Sequence, residues 1–269
     1  MPLAPTRTLR IPCRYAVFMD GIDDYVVITP FTVYGWSEIT IQEWIYAFHP
    51  KANNSWSKCS MIGDYWTDRP STFHSSNDRY DYTVLQAYWY VRKPDGTIKE
   101  YAYDIYAYRN TWVNVARRFN NVREYAGFIN GAKTYSTTVP SDYKTVLEWN
   151  PDTATYPTRY KRFVLGANSV LADYMKLMQF QLLIYDRALS DAQIAWNMNN
   201  PFNPVRDGLV LCFIADPQYV MDIDNDGILE WIDLSGYGNH GKIYGATLVD
   251  LYKTPARTLP AVRSMPVAR

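Results

Sequence analysis

Twelve residues, Asp222 to Asp233 (DIDNDGILEWID), carry the densest chemistry in this 269-residue chain. Acids stand at the first, third, fifth, ninth and twelfth positions, and a glycine at the sixth. Calcium is a hard cation that gathers oxygen ligands; alternating acids can wrap it, and a glycine permits the sharp turn. This pattern assigns Asp222, Asp224 and Asp226 as carboxylate ligands and the Ile228 carbonyl as the seventh-position ligand. Glu230 and Asp233 fall at the ninth and twelfth positions. The twelfth is usually Glu, which binds through both oxygens, and the shorter Asp233 weakens or reshapes that contact. Five carboxylates this close repel one another without a cation. That favours calcium over the plainer alternative, a solvated acidic turn.

Other residues with chemical potential are fewer. Asp20, Asp23 and Asp24 surround an Asp-Gly step, and fixing a turn by side-chain hydrogen bonds accounts for them better than a metal. Glu38 and Glu43 flank ITIQ, but an offset of five puts them on opposite faces of a strand. They therefore cannot act as the facing carboxylate pair of a glycoside hydrolase. No G-x-S-x-G, Walker loop, H-E-x-x-H or Cys–His arrangement is present, so the sequence reads as a non-enzyme. An aromatic stripe runs through residues 82–108, where sugars could stack their C–H faces on tyrosine rings. Tyr82, Tyr88, Tyr90, Tyr101 and Tyr103 are the candidates for contact with a glycan or a neighbouring subunit. Strand parity puts Tyr88 and Tyr90 on one face and Trp89 on the other, so one face is core. The choice between sugar and subunit stays open.

The elements that must position these residues are mostly strands. Two apolar runs around Asp20-Gly21 (YAVFMDGIDDYVVI) read as a hairpin. EITIQEWIYAF alternates with period two, placing Ile39, Ile41, Glu43 and Ile45 on one face. Residues 50–81 read as long polar loops. A second hairpin turns at Pro94-Asp95-Gly96 and a third at Asn130-Gly131. RFVLGANS, MQFQLLIYDRA and GLVLCFIA are further strands. LSDAQIAWNMNNP is the one clear helix, with Ser190 as its cap, Gln193 completing a capping box and Pro201 beyond its end. The Gly-rich LSGYGNHGKIYGATLVD reads as loops around a short strand.

Composition supports a packed β protein. Nearly half the residues are apolar and 16% aromatic, including 24 tyrosines and nine tryptophans. Net charge is zero but uneven. Residues 1–14 carry Arg7, Arg10 and Arg14, and residues 251–269 carry Lys253, Arg257, Arg263 and Arg269, with no acid in either segment. The stretch between is therefore net acidic. Four charges on a tail are a weak case for nucleic acid; the arms fit the acidic middle or another copy of the chain better. Cys13, Cys59 and Cys212 define no disulfide framework or zinc spacing, although one disulfide is allowed. His49, His74 and His240 are scattered. No run is long and apolar enough to span a bilayer, and the first residues lack the apolar core of a Sec signal peptide.

Several phrases, taken in order, resemble the laminin-G-like branch of the concanavalin A-like lectin/glucanase superfamily. They are FMDGIDDYVVI, EITIQEWIYAF, Trp112 to Ala116 (WVNVA, with Asn114 where that family often has His), Phe128 to Gly131 (FING) and Tyr185 to Ser190 (YDRALS). GLVLCFIA followed by DLSGYGNHGKIYGA also resembles that family, where it usually opens a module. Here it comes last, as in a permuted module or one whose final part completes a neighbour. The Asp222 loop is similar to calcium repeats of thrombospondin-like and dockerin-like modules. The resemblance implies an all-β fold: an antiparallel two-sheet β-sandwich, or jelly roll, spanning residues 15–250, with one short helix and extended basic arms at 1–14 and 251–269. It also implies a concave face that often binds glycans and edge loops that often hold calcium. The expected function is that of a structural component of a virion or cell-surface assembly. Its arms would join copies of itself or other assembly proteins, and its outward face would touch surface glycans. The alternative is a calcium-assisted carbohydrate-binding lectin or adhesin module.

Overall fold

A computed structural model describes residues 13–48, 58–62, 73–78, 84–93, 95, 97–104, 108, 110–145, 147–148, 162–167, 171 and 174–253. Within 58–104, only the side chains of Val91, Lys93, Asp95, Thr97, Lys99 and Tyr101 are described. The strands, in chain order, are β1 (Tyr15–Asp20), β2 (Tyr25–Ile28), β3 (Ile39–Ala47), β4 (Lys58–Ile62), β5 (Phe73–Asp78), β6 (Val84–Arg92), β7 (Ile98–Asp104), β8 (Trp112–Phe119), β9 (Glu124–Ile129), β10 (Ala132–Thr138), β11 (Phe163–Leu165), β12 (Lys176–Tyr185), β13 (Leu209–Ile214), β14 (Val220–Met221), β15 (Leu229–Trp231), β16 (Gly241–Tyr244) and β17 (Thr247–Asp250). Among the described residues there is one α-helix, α1 (Asp191–Asn199), between β12 and β13.

The strands form two antiparallel sheets. Sheet A runs β10-β9-β8-β3-β12-β1-β17, and sheet B runs β14-β15-β16-β2-β11-β4-β5-β6-β7. The long strand β12 is shared lengthwise on one edge: its first half pairs with β1 and its second half, from Gln181, with β13. The architecture is thus the antiparallel β-sandwich expected from the sequence. The C-terminal Gly-rich segment completes this chain's own sandwich, because β16 pairs with β2 and β17 with β1.

Side chains from both sheets meet between them. Phe213 of β13 stacks on Trp231 of β15 with centroids 5.0 Å apart, and the Trp231 indole N–H donates to the Ile214 carbonyl at 3.0 Å. Each fully buried aliphatic or aromatic side chain here contributes about 1.5–3 kcal/mol. One charged cluster shares this interior: Glu43 and Arg117 pair at 2.8 Å with neither side chain exposed, and Gln179 donates to the other Glu43 oxygen at 3.2 Å. Cys13 and Cys212 are buried free thiols, each pushed up to about 12 by that burial. Cys59, His49 and His74 lie where no side chain is described.

Three expectations need correction. The Asp20-Gly21 step does not close a hairpin: β1 belongs to sheet A and β2 to sheet B, so the turn is a corner between the sheets. The Ile22 amide donates to Asp20 and the Asp20 amide to Asp24, both at 2.8 Å, which redirects the chain without strand pairing. The polar 50–81 region contains β4 and β5, whose pairing with β11 and β6 outweighs their poor local strand pattern. The Gly-rich segment supplies two strands, β16 and β17, rather than one. The hairpins at Asp95 and Asn130-Gly131 are present as read. At the second, Asn130 and Gly131 both have positive φ (50° and 77°), as a two-residue turn of this kind requires.

Strand β3 alternates as expected, yet almost every residue in it is buried. Its odd positions face sheet B, and on the other face Gln42 bonds to Ile194 and Asn197 of α1. The helix begins with the expected capping box: Ser190 accepts from the Gln193 amide, and Gln193 accepts from the Ser190 amide. Arg118 fixes the same end, donating to the Leu189 carbonyl (2.8 Å) and Asp191 (2.7 Å).

Candidate functional site

The acidic loop joins β14 to β15 at the edge of sheet B. Its short acids fold back on their own backbone. Asp222 accepts from the Asp226 amide at 3.1 Å and the Gly227 amide at 2.9 Å, and Asp226 accepts from the Ile228 amide at 2.8 Å. Asn225 and Gly227 take positive φ, 58° and 85°, and close the loop. As a result one carboxylate oxygen from each of Asp222, Asp224 and Asp226 lies within 4.8 Å of the others. Such a set of hard oxygens suits a divalent cation of the calcium class.

Lys242 of β16 reaches into the same cluster, with its Nζ 2.7 Å from Asp226, 3.5 Å from Glu230 and 3.6 Å from Asp224. Its hydrogen bond to Asp226 raises the Lys242 pKa and is the main cause holding the Asp226 carboxyl below its usual range. Glu230 is buried under the loop and accepts from the Ile223 amide at 3.0 Å.

Asp233 corrects the sequence reading. Both its oxygens are filled by protein donors: Oδ1 by the amides of Cys212 and Ser235, and Oδ2 by the Ser235 hydroxyl and the Asn239 amide, all at 2.7–3.0 Å. This carboxylate organises the Gly-rich loop after β15 and has no free lone pair for the ion. The structure thus gathers Asp222, Asp224 and Asp226, ties Glu230 to them through Lys242, and sets Asp233 apart. Ile228 enters through its backbone N–H, which donates to the Asp226 carboxylate.

Lys242 and Tyr244 alternate on β16 with the buried Gly241 and Ile243, so both point to the outer face of sheet B. There Tyr244 pairs across strands with Tyr25 of β2, and the two rings stack 4.8 Å apart at 20°. Tyr174 lies beside Tyr25 at 6.4 Å and donates its hydroxyl to the Leu171 carbonyl at 2.7 Å. Burial raises the pKa of Tyr25 and Tyr174, so both phenols stay neutral donors at physiological pH. The outcome is a half-buried tyrosine platform on the face that also carries Lys242 and the acidic loop. Sequence reading passed over it. The signal was the outward parity of Tyr25 in YVVI and of Tyr244 in GKIY, two short strands whose pairing is invisible in the chain.

Among the tyrosines chosen from the sequence, Tyr101 is only 4% exposed; its ring lies 6.5 Å from Tyr125 of β9, so it belongs to the interior and cannot stack on a ligand. Tyr88, Tyr90 and Tyr103 lie on the paired strands β6 and β7, with side chains outside the description, and Tyr82 lies outside the described residues. Glu38 and Glu43 have structural partners: Glu38 accepts from the amides of Asn121 and Ala188, and Glu43 pairs with Arg117.

No protein-family model and no curated protein sequence matches the chain. Its fold is shared with solved structures at low identity. A protein from Bacteroides ovatus, inferred to bind carbohydrate, superposes with a TM-score of 0.58 at 14% identity, over 88% of this chain and 60% of that one. The receptor-binding domain of botulinum neurotoxin D aligns at 14% identity and a TM-score of 0.49, over 82% of this chain and 52% of that one. A pentraxin from Limulus polyphemus aligns at 11% identity and 0.43, over 69% of this chain and 82% of that one. The chain thus spans a little over half the length of the first two. The likeness is one of fold, an antiparallel two-sheet β-sandwich.

Proposed function

We propose that this chain is a non-catalytic glycan-recognition module whose binding face is the outer surface of sheet B. The observation that carries this reading is the Tyr25–Tyr244 stack, flanked by Tyr174 and set on the same face as Lys242 and the acidic loop. A stacked pair of half-buried rings offers an apolar surface to sugar C–H groups while its hydroxyls stay available for hydrogen bonds. The low-identity likeness to a protein inferred to bind carbohydrate supports the fold that such a face requires. Calcium in the Asp222–Asp224–Asp226 loop would brace the adjacent edge of that face. Assembly into a virion or surface layer is a weaker reading, because it rests on the arms. Residues 1–12 and 254–269 lie outside the described residues; among the described residues, Arg14 pairs with Asp250 at 2.9 Å.

A glycan array probed with the intact chain and with Tyr25→Ala/Tyr244→Ala tests the reading. Binding to a defined set of glycans that the double variant loses at unchanged melting temperature is expected. Equal binding by both proteins, or none by the wild type, would overturn it.

A further inference from the structure

On the opposite side of the sandwich, α1 and the turn after it present two large exposed rings. Trp196 is 50% exposed and Phe202 58%. They belong to one patch: the Trp196 indole N–H donates to the carbonyl of Asn203, the residue after Phe202, at 3.0 Å, while Phe202 leans on Phe180 at 5.5 Å. Contiguous exposed apolar surface is where proteins commonly meet a partner.

Two features say what the partner is. The first is rigidity. The helix and turn are anchored to the outer face of sheet A by a buried polar network. Gln42 donates to Asn114 (2.7 Å) and to the Ile194 carbonyl (2.9 Å), and Asn197 donates to Gln42 (3.1 Å) and the Tyr185 hydroxyl (3.0 Å). Asn197 in turn accepts from the Val205 amide at 2.8 Å, Tyr185 donates to the Val205 carbonyl, and Gln181 donates to the Pro201 carbonyl. This buried network ties the turn to the sheet before any ligand arrives, which lowers the entropic cost of binding.

The second feature is charge. Between Asp191 and Arg206 the chain contains no ionisable side chain, in a protein where a fifth of all residues are charged. In the segment that carries the rings, the polar side chains from Asn199 to Asn203 are amides: Asn199, Asn200 and Asn203, the first two held by bonds from their own Nδ2 groups to helix carbonyls. A neutral surface of rigid rings and amides complements an uncharged polyol. It offers nothing to the phosphates of nucleic acid, the headgroups of an anionic membrane or an acidic peptide.

We propose that Trp196, Phe202 and the flanking asparagines form a second binding surface, for a neutral glycan, on the face opposite the tyrosine platform. It depends on neither the platform nor the acidic loop. With both faces occupied, one chain would bridge two glycan strands, and the gain on a polymeric ligand would come from effective concentration.

The test is affinity electrophoresis of the full chain through gels containing neutral polysaccharides (a β-glucan, a mannan, a xylan), with light scattering alongside. The wild type, Trp196→Ala, Phe202→Ala and Tyr25→Ala/Tyr244→Ala are compared. Retardation of the wild type on at least one polymer, reduced severalfold in Trp196→Ala and Phe202→Ala and retained in the tyrosine variant, is the expected result. Loss only in the tyrosine variant would place all neutral-glycan binding on the other face and overturn this proposal alone. A wild type that is not retarded, or a dimer that Trp196→Ala dissociates, would also overturn it. Both rings are largely exposed, so unchanged melting of the two single variants guards against misfolding.

Discussion

Lys242 Nζ lies 2.7 Å from Asp226 and within 3.6 Å of Asp224 and Glu230, so a residue of the neighbouring strand supplies the positive charge that the acidic loop calls for. A divalent cation entering between Asp222, Asp224 and Asp226 must displace this ammonium. Lys242→Met is therefore expected to bind calcium severalfold more tightly than the wild type, and Asp226→Asn more weakly than either. Titration calorimetry in low salt, with a chelated control, measures both. A wild type and Lys242→Met that are equally silent would remove calcium from the account of this loop. Asp226 has a lowered pKa in the fold, so its share of stability is full above the unfolded carboxyl value and lost as pH falls through the folded one. Calcium affinity should decline in the same acidic range.

Glu43 and Arg117 give a second, purely structural expectation. Their pair is fully buried between the sheets. Removing one partner leaves a charge in a low-dielectric interior, at a cost of about 3–5 kcal/mol, whereas replacing both by apolar residues is often close to neutral. Arg117→Met should therefore unfold at much lower urea than the wild type, and Glu43→Leu/Arg117→Met should recover most of the loss. Additive losses in the double variant would contradict the pairing.

Asp24 makes the corner between the sheets sensitive to pH. The residue is 7% exposed, and burial, reinforced by the charges of Asp20 and Asp23, pushes its pKa up to about 6 against a bonding contribution from the Asp20 amide. The folded state thus holds this proton more tightly than the unfolded chain, whose carboxyl titrates near about 3.9. Stability from this group is full below about pH 4 and lost as pH rises through about 6. Asn keeps an acceptor for the Asp20 amide and carries no charge. Asp24→Asn should gain in melting temperature relative to the wild type as pH goes from 4 to 7, with a constant difference above that; parallel profiles would refute the shift. The corner has little room for rearrangement: a Cβ on Gly245 would lie 2.1 Å from Asp24 Oδ1, and Gly245 has φ 74°.

The same residues mark what a sequence discloses. Ser190 and Gln193, Asn130 and Gly131, and the alternation of β3 act within a few positions, and local chemistry was enough to place helix, turn and strand. Residues 73–78 (FHSSND) became β5 because their neighbours in the sheet supply pairing that the segment does not advertise. Tyr25 and Tyr244 are more than 200 positions apart, so their stack follows from a strand pairing that no local pattern encodes. The acidic loop was half legible. Its first, third and fifth acids converge because each bonds to a nearby amide, whereas the twelfth is filled by donors from the Gly-rich loop that follows it and from β13.

That last point can be measured at Asp233. Cys212, Ser235 and Asn239 place four hydrogen bonds on its carboxylate, which joins β13 to the Gly-rich loop. The His240 ring nitrogen accepts from the Asp233 amide at 3.0 Å and closes the same loop. Asp233→Ala leaves buried donors without an acceptor, each costing about 1–3 kcal/mol before relaxation, so a marked loss of stability is expected. Calcium affinity, measured where the variant is still folded, should be unchanged, because this carboxylate is no part of the Asp222–Asp224–Asp226 cluster. Asp224→Asn should do the reverse, weakening the ion with little effect on unfolding in its absence. Urea unfolding and calorimetry on the two variants separate the roles: a drop in calcium affinity for Asp233→Ala, at intact fold, would return Asp233 to the ligand set.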